Sequence, residues 1–208
     1  MTCLLAERFP LAAVDAIDIA PGMIEEARRR GPRDRVSWHV ADARAFSPQE
    51  PYDLIAANCS LHWLEPLQGS FSHLASVLAP AGSLAASVML QGTLAELHAA
   101  RLRAAPGKPP LGELPTAAAI REGLEAAGLS TSHFEEEEVA AACPSVESLL
   151  FGLRSLGVTG GSVSRAALPL SRGEIRRLIE EYESSHRVPG GIRVTYRMAY
   201  FVASRRVS

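Results

Sequence analysis

Cysteine is scarce in this sequence, with only three residues in 208, at Cys3, Cys59 and Cys143. Three isolated cysteines predict neither a disulfide framework nor a zinc site, and we expect no bound metal. Long apolar runs are also absent, because Arg, Glu, Gly or Pro interrupts every one of them. The first residues include Glu7 and Arg8 where a secretion signal has an apolar stretch. We therefore expect a cytoplasmic protein without a membrane partner.

An excess of charge of either sign is missing as well. The 21 Lys and Arg residues nearly balance the 23 Asp and Glu residues, and the formal net charge is −2. This balance gives no reason to expect nucleic acid as a partner. The chain is 47% apolar over 208 residues, which suits one domain with a substantial core.

Apolar and amphipathic segments alternate along the chain. The first half predicts strands at 14–19, 36–40, 52–57 and 83–90, with helices at 2–8, 21–30 and 66–79. The second half predicts helices at 93–103, 116–127, 145–156 and 171–185, a loop at 104–114, an edge strand at 134–141, a turn at 158–164 and a last strand at 192–203. A capping box of Ser171 and Glu174 would begin the last helix. The alternation indicates βαβ units and a mostly parallel sheet, and therefore an α/β fold.

Polar side chains follow three of the predicted strands, at Asp18, Asp42 and Asn58. Ligands of open α/β sheets bind outside the carboxyl ends of the strands. A carboxylate at such an end can accept hydrogen bonds from both vicinal hydroxyls of a ribose. The same aspartates would also suit a capped strand–helix turn or a simple turn. Nucleotide binding and helix capping therefore both stay open at this point.

Several segments together resemble the class I S-adenosylmethionine-dependent methyltransferases. The resemblance rests on segments 4–10, 18–23, 42–43, 52–55, 58–63 and 78–82. Segments 92–97, 153–157 and 195–197 look most like the malonyl-carrier-protein O-methyltransferases of biotin synthesis. The resemblance implies a Rossmann-like sheet with flanking helices and an antiparallel last strand. It also implies S-adenosylmethionine as cofactor and a carboxylate on a small acid or a carrier-bound acyl chain as methyl acceptor.

The resemblance implies six cofactor-binding residues, namely Asp18, Ile19, Met23, Asp42, Ala43 and Asn58. Asp18 would hold the ribose hydroxyls, while Ile19 and Met23 would line the adenine pocket. Asp42 and Ala43 would contact the adenine amine and ring edge. Asn58 would face the methionyl part of the cofactor and its reacting methyl group. By the same resemblance we expect one domain over 1–208, with a cofactor-binding half at 1–90 and a lid and substrate-side half at 91–208, in a monomer or homodimer.

Methyl transfer to a carboxylate depends mainly on positioning, because the acceptor is already an anion. An arginine is suited to bind that carboxylate through two parallel hydrogen bonds. Arg154 is our predicted acceptor-binding residue, with Tyr196 in support. A surface arginine on an amphipathic helix is the alternative for Arg154. His62, beside Trp63, is either a packed residue or a functional one.

Two departures from the family pattern carry expectations of their own. Family members begin with a strand and a Gly-x-Gly-x-Gly loop ahead of the helix at 2–8, and this sequence contains no such loop. With that first strand missing, strands 14–19 and 53–57 would either pair directly or have the gap between them filled. We expect the chain as given to bind S-adenosylmethionine weakly and to transfer little methyl. In the lid, Glu113 lies where the biotin-type enzymes carry an Asn-Arg-Phe-Leu-Pro-like segment, which disfavours an anionic acceptor there.

Two other interpretations remain open from the sequence. One is a truncated homologue that keeps the fold with weak or no turnover. The other is a non-enzymatic module that binds a nucleotide or a partner protein. Upstream DNA would best separate them, because an in-frame segment that encodes a strand and a Gly-x-Gly-x-Gly loop ahead of Met1 would favour the enzyme.

Overall fold

The computed structural model describes residues 1–32, 35–110, 112–156 and 168–206. Its helices are α1 (Thr2–Arg8), α2 (Pro21–Arg30), α3 (Leu67–Ser76), α4 (Ala95–Ala104), α5 (Ala117–Ala126), α6 (Val146–Ser155) and α7 (Arg172–His186), with a 3-10 turn at Leu61–Trp63. Its strands are β1 (Val14–Asp18), β2 (Val36–Val40), β3 (Tyr52–Asn58), β4 (Leu78–Met89), β5 (Leu129–Cys143), β6 (Arg187–Val188) and β7 (Gly191–Arg205). The predicted turn at 158–164 lies outside the described residues.

Local signals account for where several helices begin. Pro21 occupies the first turn of α2, and three arginines fill its last turn, where they face the negative end of the helix dipole. The predicted capping box of α7 is confirmed, because the Ser171 hydroxyl accepts the Glu174 N–H while the Glu174 carboxylate accepts the Ser171 N–H. A second, simpler cap starts α6, where the Ser145 hydroxyl accepts the Ser148 N–H at 3.2 Å.

The described strands form two sheets. In the first sheet β1 and β2 pair in parallel, with Val14 opposite Val36 and Asp18 opposite Val40. The second sheet has the order β3-β4-β7-β5, and β6 adds to β7. Strand β7, the last in the sequence, is antiparallel to β4. Ser83 near the start of β4 bonds to Ser204 near the end of β7, whereas Leu90, just after β4, bonds to Arg197, earlier in β7. The predicted Rossmann-like fold with an antiparallel last strand is confirmed, and β5 lies at the sheet edge.

The two sheets separate between β1 and β3. Among the described residues these strands do not pair, so of the two outcomes that the sequence left open, the structure does not show direct pairing. A side-chain network connects them instead: the Tyr52 hydroxyl donates to Asp15 Oδ2 at 2.7 Å, and His39 Nε2 lies 2.7 Å from Asp15 Oδ1. Burial, and then the Asp15 carboxylate, raises the pKa of Tyr52, so the hydroxyl keeps its proton and donates.

The junction of α3 and β4 differs from the prediction. We expected a helix to residue 79 and a strand from 83, but α3 ends at Ser76 and β4 begins at Leu78. Leu78 is fully buried, and its carbonyl accepts a hydrogen bond from the Arg205 guanidinium at 2.6 Å. Gly82 lies so close to β3 that an added Cβ would be 2.7 Å from the Tyr52 carbonyl oxygen. Long-range contacts thus extend the strand through a segment whose Pro and Gly predict a turn.

The chain divides into two compact units. The first comprises 1–86, 122–132 and 202–208, and the second comprises 87–121 and 133–201. In the first unit Phe71 is fully buried against Gly123, where a Cβ would lie 2.9 Å from its ring. In the second unit the buried residues of α4, α6, α7 and β7 form one core, namely Ala100, Ala104, Val146, Leu149, Leu178, Tyr182, Ile192 and Val194. None of the helices in the described ranges has the length and apolar character that crossing a bilayer requires.

Candidate active site

Asp18 ends β1 with one carboxylate oxygen engaged and one available. Oδ1 accepts the N–H of Ala20 at 2.8 Å, which fixes the turn into α2. Within the described part of the chain, Oδ2 has no hydrogen-bond partner. The capping role and the ribose-binding role, which the sequence left as alternatives, are therefore compatible in this residue. An ionised carboxylate oxygen in this position can accept from a hydroxyl donor.

Apolar side chains lie next to this carboxylate. Ile19, just after β1, is 66% exposed, and Met23, in the first turn of α2, is 59% exposed, so two large apolar side chains face solvent here. Val40, the register partner of Asp18 on β2, is 52% exposed and was not among the residues predicted from the sequence. An exposed apolar surface beside a free carboxylate oxygen fits the chemistry of a nucleoside, which presents an aromatic face and a diol.

Asp42 follows β2, but Arg44 occupies its carboxylate. The Arg44 backbone N–H donates to Oδ1 at 2.9 Å, and the guanidinium donates to both oxygens at 2.6 to 3.0 Å. The side-chain hydrogen bonds from Arg44 lower the pKa of Asp42. Ala43 is half-buried, and within the described residues its N–H has no partner. An adenine amine would therefore have to displace Arg44 from Asp42, whereas the Ala43 N–H is open to a ring nitrogen.

Asn58 ends β3 and is exposed to solvent. The next residue, Cys59, has a backbone φ of +49°, in the left-handed region that residues with a side chain rarely adopt. Such strained positions cluster at ligand sites, because the surrounding structure must hold them. The predicted methionyl-side residue thus sits at a sharp, constrained turn, a feature that no sequence signal at Cys59 indicated.

His62 is packed rather than presented to solvent. It is 4% exposed, and its ring centroid lies 4.9 Å from that of Trp63. Burial lowers the pKa of His62 to about 4, so the imidazole is neutral at physiological pH. Of the two interpretations that the sequence left open, the structure favours packing.

The two predicted acceptor-side residues belong to the second unit. Arg154 is exposed near the end of α6, shortly before residues 157–167, which lie outside the described chain. Tyr196 is half-buried on β7 and packs against the core of the second unit. Burial raises the pKa of Tyr196, and its hydroxyl has no partner within the described ranges. The six predicted cofactor residues fall in the first unit.

Two basic side chains on α4, the buried Arg101 and the half-buried His98, were missed by the sequence analysis. Arg101 is 9% exposed, and burial lowers the pKa of Arg101 and of His98, one helical turn earlier. Glu113, in the predicted loop, bonds through its carboxylate to the Gln91 side-chain amide, and its charge opposes the fall in the pKa of His98. The three-residue spacing of His98 and Arg101 was the available signal, since it places both on one helix face. Among the described residues, no cluster of His, Cys, Asp and Glu could hold a metal ion.

Comparisons with known proteins agree with this arrangement. A family model described as a methyltransferase domain matches residues 1–82. The chain is 31% identical over 217 residues to the malonyl-[acyl-carrier protein] O-methyltransferase of Priestia megaterium, covering 97% of this chain and 77% of that protein. It is 38% identical over 143 residues to the trans-aconitate 2-methyltransferase of Methylobacterium nodulans, covering 68% of this chain and 52% of that protein.

A solved structure supports the fold independently. The solved structure is that of a Bacillus halodurans protein assigned as a methyltransferase. It matches with a TM-score of 0.67 and 12% identity, over 99% of this chain and 89% of that one. The chain belongs to the class I S-adenosylmethionine-dependent methyltransferases. Its cofactor is S-adenosylmethionine, and the interpretation as a non-enzymatic binding module is not favoured.

Removing the Asp18 carboxylate should weaken cofactor binding. We expect Asp18→Ala to cost about 1.5–3 kcal/mol of S-adenosylhomocysteine affinity, the range for hydrogen bonds to a charged group. Calorimetry would use the chain extended in front of residue 1 by a family-type strand and Gly-x-Gly-x-Gly loop, called the extended chain below. Asp53→Ala, at an exposed carboxylate near the start of β3, is the matched control. Equal affinity for the two variants would remove Asp18 from the cofactor site.

The neutral, buried imidazole of His62 should make stability depend on pH. Because its pKa falls from 6.5 to about 4 on folding, the unfolded chain takes up a proton first as pH falls below 6.5. The stability that this group contributes is therefore complete above pH 6.5, declines as pH falls, and is lost near pH 4. We expect the loss from this group to reach about 2 kcal/mol at pH 5.

Urea unfolding at pH 7 and pH 5 measures this effect. His62→Gln should lose less free energy of unfolding between the two pH values than the parent does. His133→Gln, at an exposed histidine, should behave as the parent. A parent and a His62→Gln variant with the same pH dependence would show that His62 titrates normally in the fold.

Proposed function

We propose that this methyltransferase acts on the free carboxylate of a carrier-bound acyl chain, of the malonyl-thioester type. The observation that carries this proposal is a direct contact between two segments, 92–97 and 195–197, whose sequences look most like those of the biotin-type enzymes. Residues 92–97 and 195–197 are hydrogen-bonded to each other, through Thr93 with Arg197 and Glu96 with Thr195. Supporting evidence is the similarity to the Priestia megaterium enzyme, whose acceptor is a malonyl-[acyl-carrier protein].

In this proposal the residues of the first unit hold the cofactor. Asp18 Oδ2 accepts the ribose hydroxyls, Ile19 and Met23 pack against adenine, and the Ala43 N–H donates to the ring edge. When bound, S-adenosylmethionine supplies an electrophilic methyl group for in-line attack by the acceptor oxygen. Because the acceptor carboxylate is ionised at neutral pH, no side chain has to remove a proton. The protein contributes positioning, which alone is worth several kcal/mol of the barrier.

On the acceptor side, Arg154 pairs with the carboxylate and Tyr196 donates its hydroxyl proton to it. The raised pKa of Tyr196 keeps that proton in place at neutral pH. A guanidinium fixes a carboxylate through two parallel hydrogen bonds, and a lysine cannot reproduce that geometry. The exposed position of Arg154 suits a large, carrier-bound acceptor that approaches from solvent.

A small polycarboxylic acid is the second candidate acceptor. The trans-aconitate methyltransferase of Methylobacterium nodulans shares 38% identity over 143 residues with the chain. In the lid, Glu113 stands where the biotin-type segment places an arginine region, and a different acceptor would explain that change. Trans-aconitate is therefore the appropriate competitor substrate.

A methyl-transfer assay separates these candidates. The extended chain, labelled S-adenosylmethionine and one acceptor are combined, with malonyl-carrier protein, acetyl-carrier protein or trans-aconitate as that acceptor. We expect label in the malonyl protein and none in the acetyl protein, which lacks the free carboxylate. Label in trans-aconitate alone would select the second candidate, and label in neither acid would refute both.

Replacing Arg154 by Lys should depress turnover and leave cofactor affinity intact. The substitution keeps the charge and removes the bidentate geometry, so we expect roughly a ten-fold or greater fall in kcat/KM for the malonyl acceptor. Arg172→Lys, at another exposed helical arginine, is the matched control. Equal turnover for Arg154→Lys and the parent would return Arg154 to the class of surface arginines.

A further inference from the structure

A short segment forms hydrogen bonds with the backbone of β7 on both sides of Tyr196. The segment is Gly92–Glu96, between the end of β4 and the first turn of α4, and we call it the clasp. Its side chains at Thr93 and Glu96 are 3% and 7% exposed, so both polar groups are buried. Buried polar groups are expensive unless they are hydrogen-bonded, and both of these bond to β7.

The clasp holds the residue after Tyr196 through one hydroxyl. The Thr93 hydroxyl donates to the Arg197 carbonyl oxygen at 2.9 Å and accepts the Arg197 N–H at 3.0 Å. Just before the clasp, the N–H of Leu90 donates to the same Arg197 carbonyl at 2.8 Å. Arg197 thus has both backbone groups satisfied from one side of the strand.

The residue before Tyr196 is held in the same way. Glu96 Oε2 accepts the Thr195 N–H at 3.2 Å, and Glu96 Oε1 accepts the Thr195 hydroxyl. The N–H of Leu94 donates to the Thr195 carbonyl at 2.7 Å. The guanidinium of Arg193 lies 3.7 Å from Glu96 Oε1 and partly neutralises the buried carboxylate.

The backbone of the clasp is strained in order to make these contacts. Leu94 has a φ of +56°, which is costly for a residue with a branched side chain. Gly92 has a φ of +97°, and a Cβ there would lie 2.7 Å from Arg197 Cδ. A strained turn persists only where the surrounding structure holds it, and here six hydrogen bonds join residues 90–96 to the two neighbours of Tyr196.

We propose that Thr93 and Glu96 are positioning residues that fix Tyr196 for the methyl acceptor. The Tyr196 hydroxyl has no partner in the described chain and can donate to the acceptor. The clasp holds the backbone of Thr195 and Arg197, on both sides of the Tyr196 Cα atom. The proposal rests on the acceptor-side role of Tyr196 proposed above. It adds that the clasp, which does not itself touch the acceptor, sets where the Tyr196 hydroxyl stands.

Fluorine NMR of the 208-residue chain labelled with 3-fluorotyrosine tests the clasp without needing turnover. The chain has four tyrosines, and Tyr196→Phe identifies the resonance of interest. We expect Thr93→Val and Glu96→Gln to shift or broaden the Tyr196 resonance and to leave that of Tyr52, whose hydroxyl bonds to Asp15 in the first unit, unchanged. Thr93→Ser, which keeps the hydroxyl, should retain the parent spectrum.

Thr116→Val is the matched control, because Thr116 caps α5 through a hydroxyl 3.1 Å from the Ala119 N–H and, within the described residues, has no bond to β7. An unchanged Tyr196 resonance in Thr93→Val and Glu96→Gln would overturn the proposal. An equal change at Tyr52 would also overturn it, since that would indicate general loosening of the fold. If Thr93→Val does not fold, the nearly isosteric Glu96→Gln decides the question.

Kinetics of the extended chain then link the clasp to the acceptor. We expect Thr93→Val to raise the KM for the acceptor about ten-fold with an unchanged KM for S-adenosylmethionine, since misplacement of a contact residue costs at least this much. In a Tyr196→Phe background the same substitution should have no further effect, whereas additive effects would overturn the proposal. A parent without methyl transfer to malonyl-carrier protein would refute the proposed function alone, because the fluorine spectra still decide whether the clasp fixes Tyr196.

Discussion

Backbone hydrogen bonding between neighbouring strands is the constraint on which this structure depends. Strands β1 and β2 satisfy it with each other, and β3 satisfies it with β4 in the second sheet. Between β1 and β3 the described chain has no ladder, and the Tyr52 hydroxyl on β3 donates instead to the Asp15 carboxylate on β1. The family's sheet has its first strand at this place. Unpaired edge groups need solvent or a partner, so this junction is the weakest part of the candidate cofactor site.

At the end of β4, side chains rather than a neighbouring strand satisfy the backbone hydrogen-bonding groups of β7. There the strand stops at Met89, while β7 continues past it, so the backbone groups of Thr195 and Arg197 need other partners. The buried side chains of Thr93 and Glu96 supply them. A polar side chain is more restrictive than a strand, because its geometry depends on one rotamer. The contacts of these side chains accompany the left-handed backbone at Gly92 and Leu94.

Much of the fold follows from local sequence signals. The spans of α1, α2, β2 and α7 were predicted closely, because proline, arginine placement and a capping box act within one helical turn. The start of β4 was missed because its stabilising contacts come from Tyr52 and Arg205, far away along the chain. The strand-end residues Asp18 and Asn58 were placed correctly at the ends of β1 and β3 for the same local reason.

The candidate site shows what sequence reasoning cannot reach. The resemblance implied that Asp42 contacts the adenine amine, but Arg44 occupies its carboxylate, and that contact depends on a rotamer rather than on a sequence pattern. Thr93 and Glu96 bond to residues about 100 positions later, so no periodicity within either segment reveals the contact. The cofactor roles of Ile19, Met23 and Ala43 stay predictions, as do the acceptor roles of Arg154 and Tyr196.

The most direct test of this account compares cofactor binding by the 208-residue chain and by the extended chain. Both are titrated with S-adenosylhomocysteine in a calorimeter under the same conditions. The account predicts a dissociation constant in the low micromolar range, about −8 kcal/mol, for the extended chain, and at least roughly ten-fold weaker binding for the 208-residue chain. Equal, low micromolar affinities would contradict the claim that the unpaired edges of β1 and β3 limit cofactor binding.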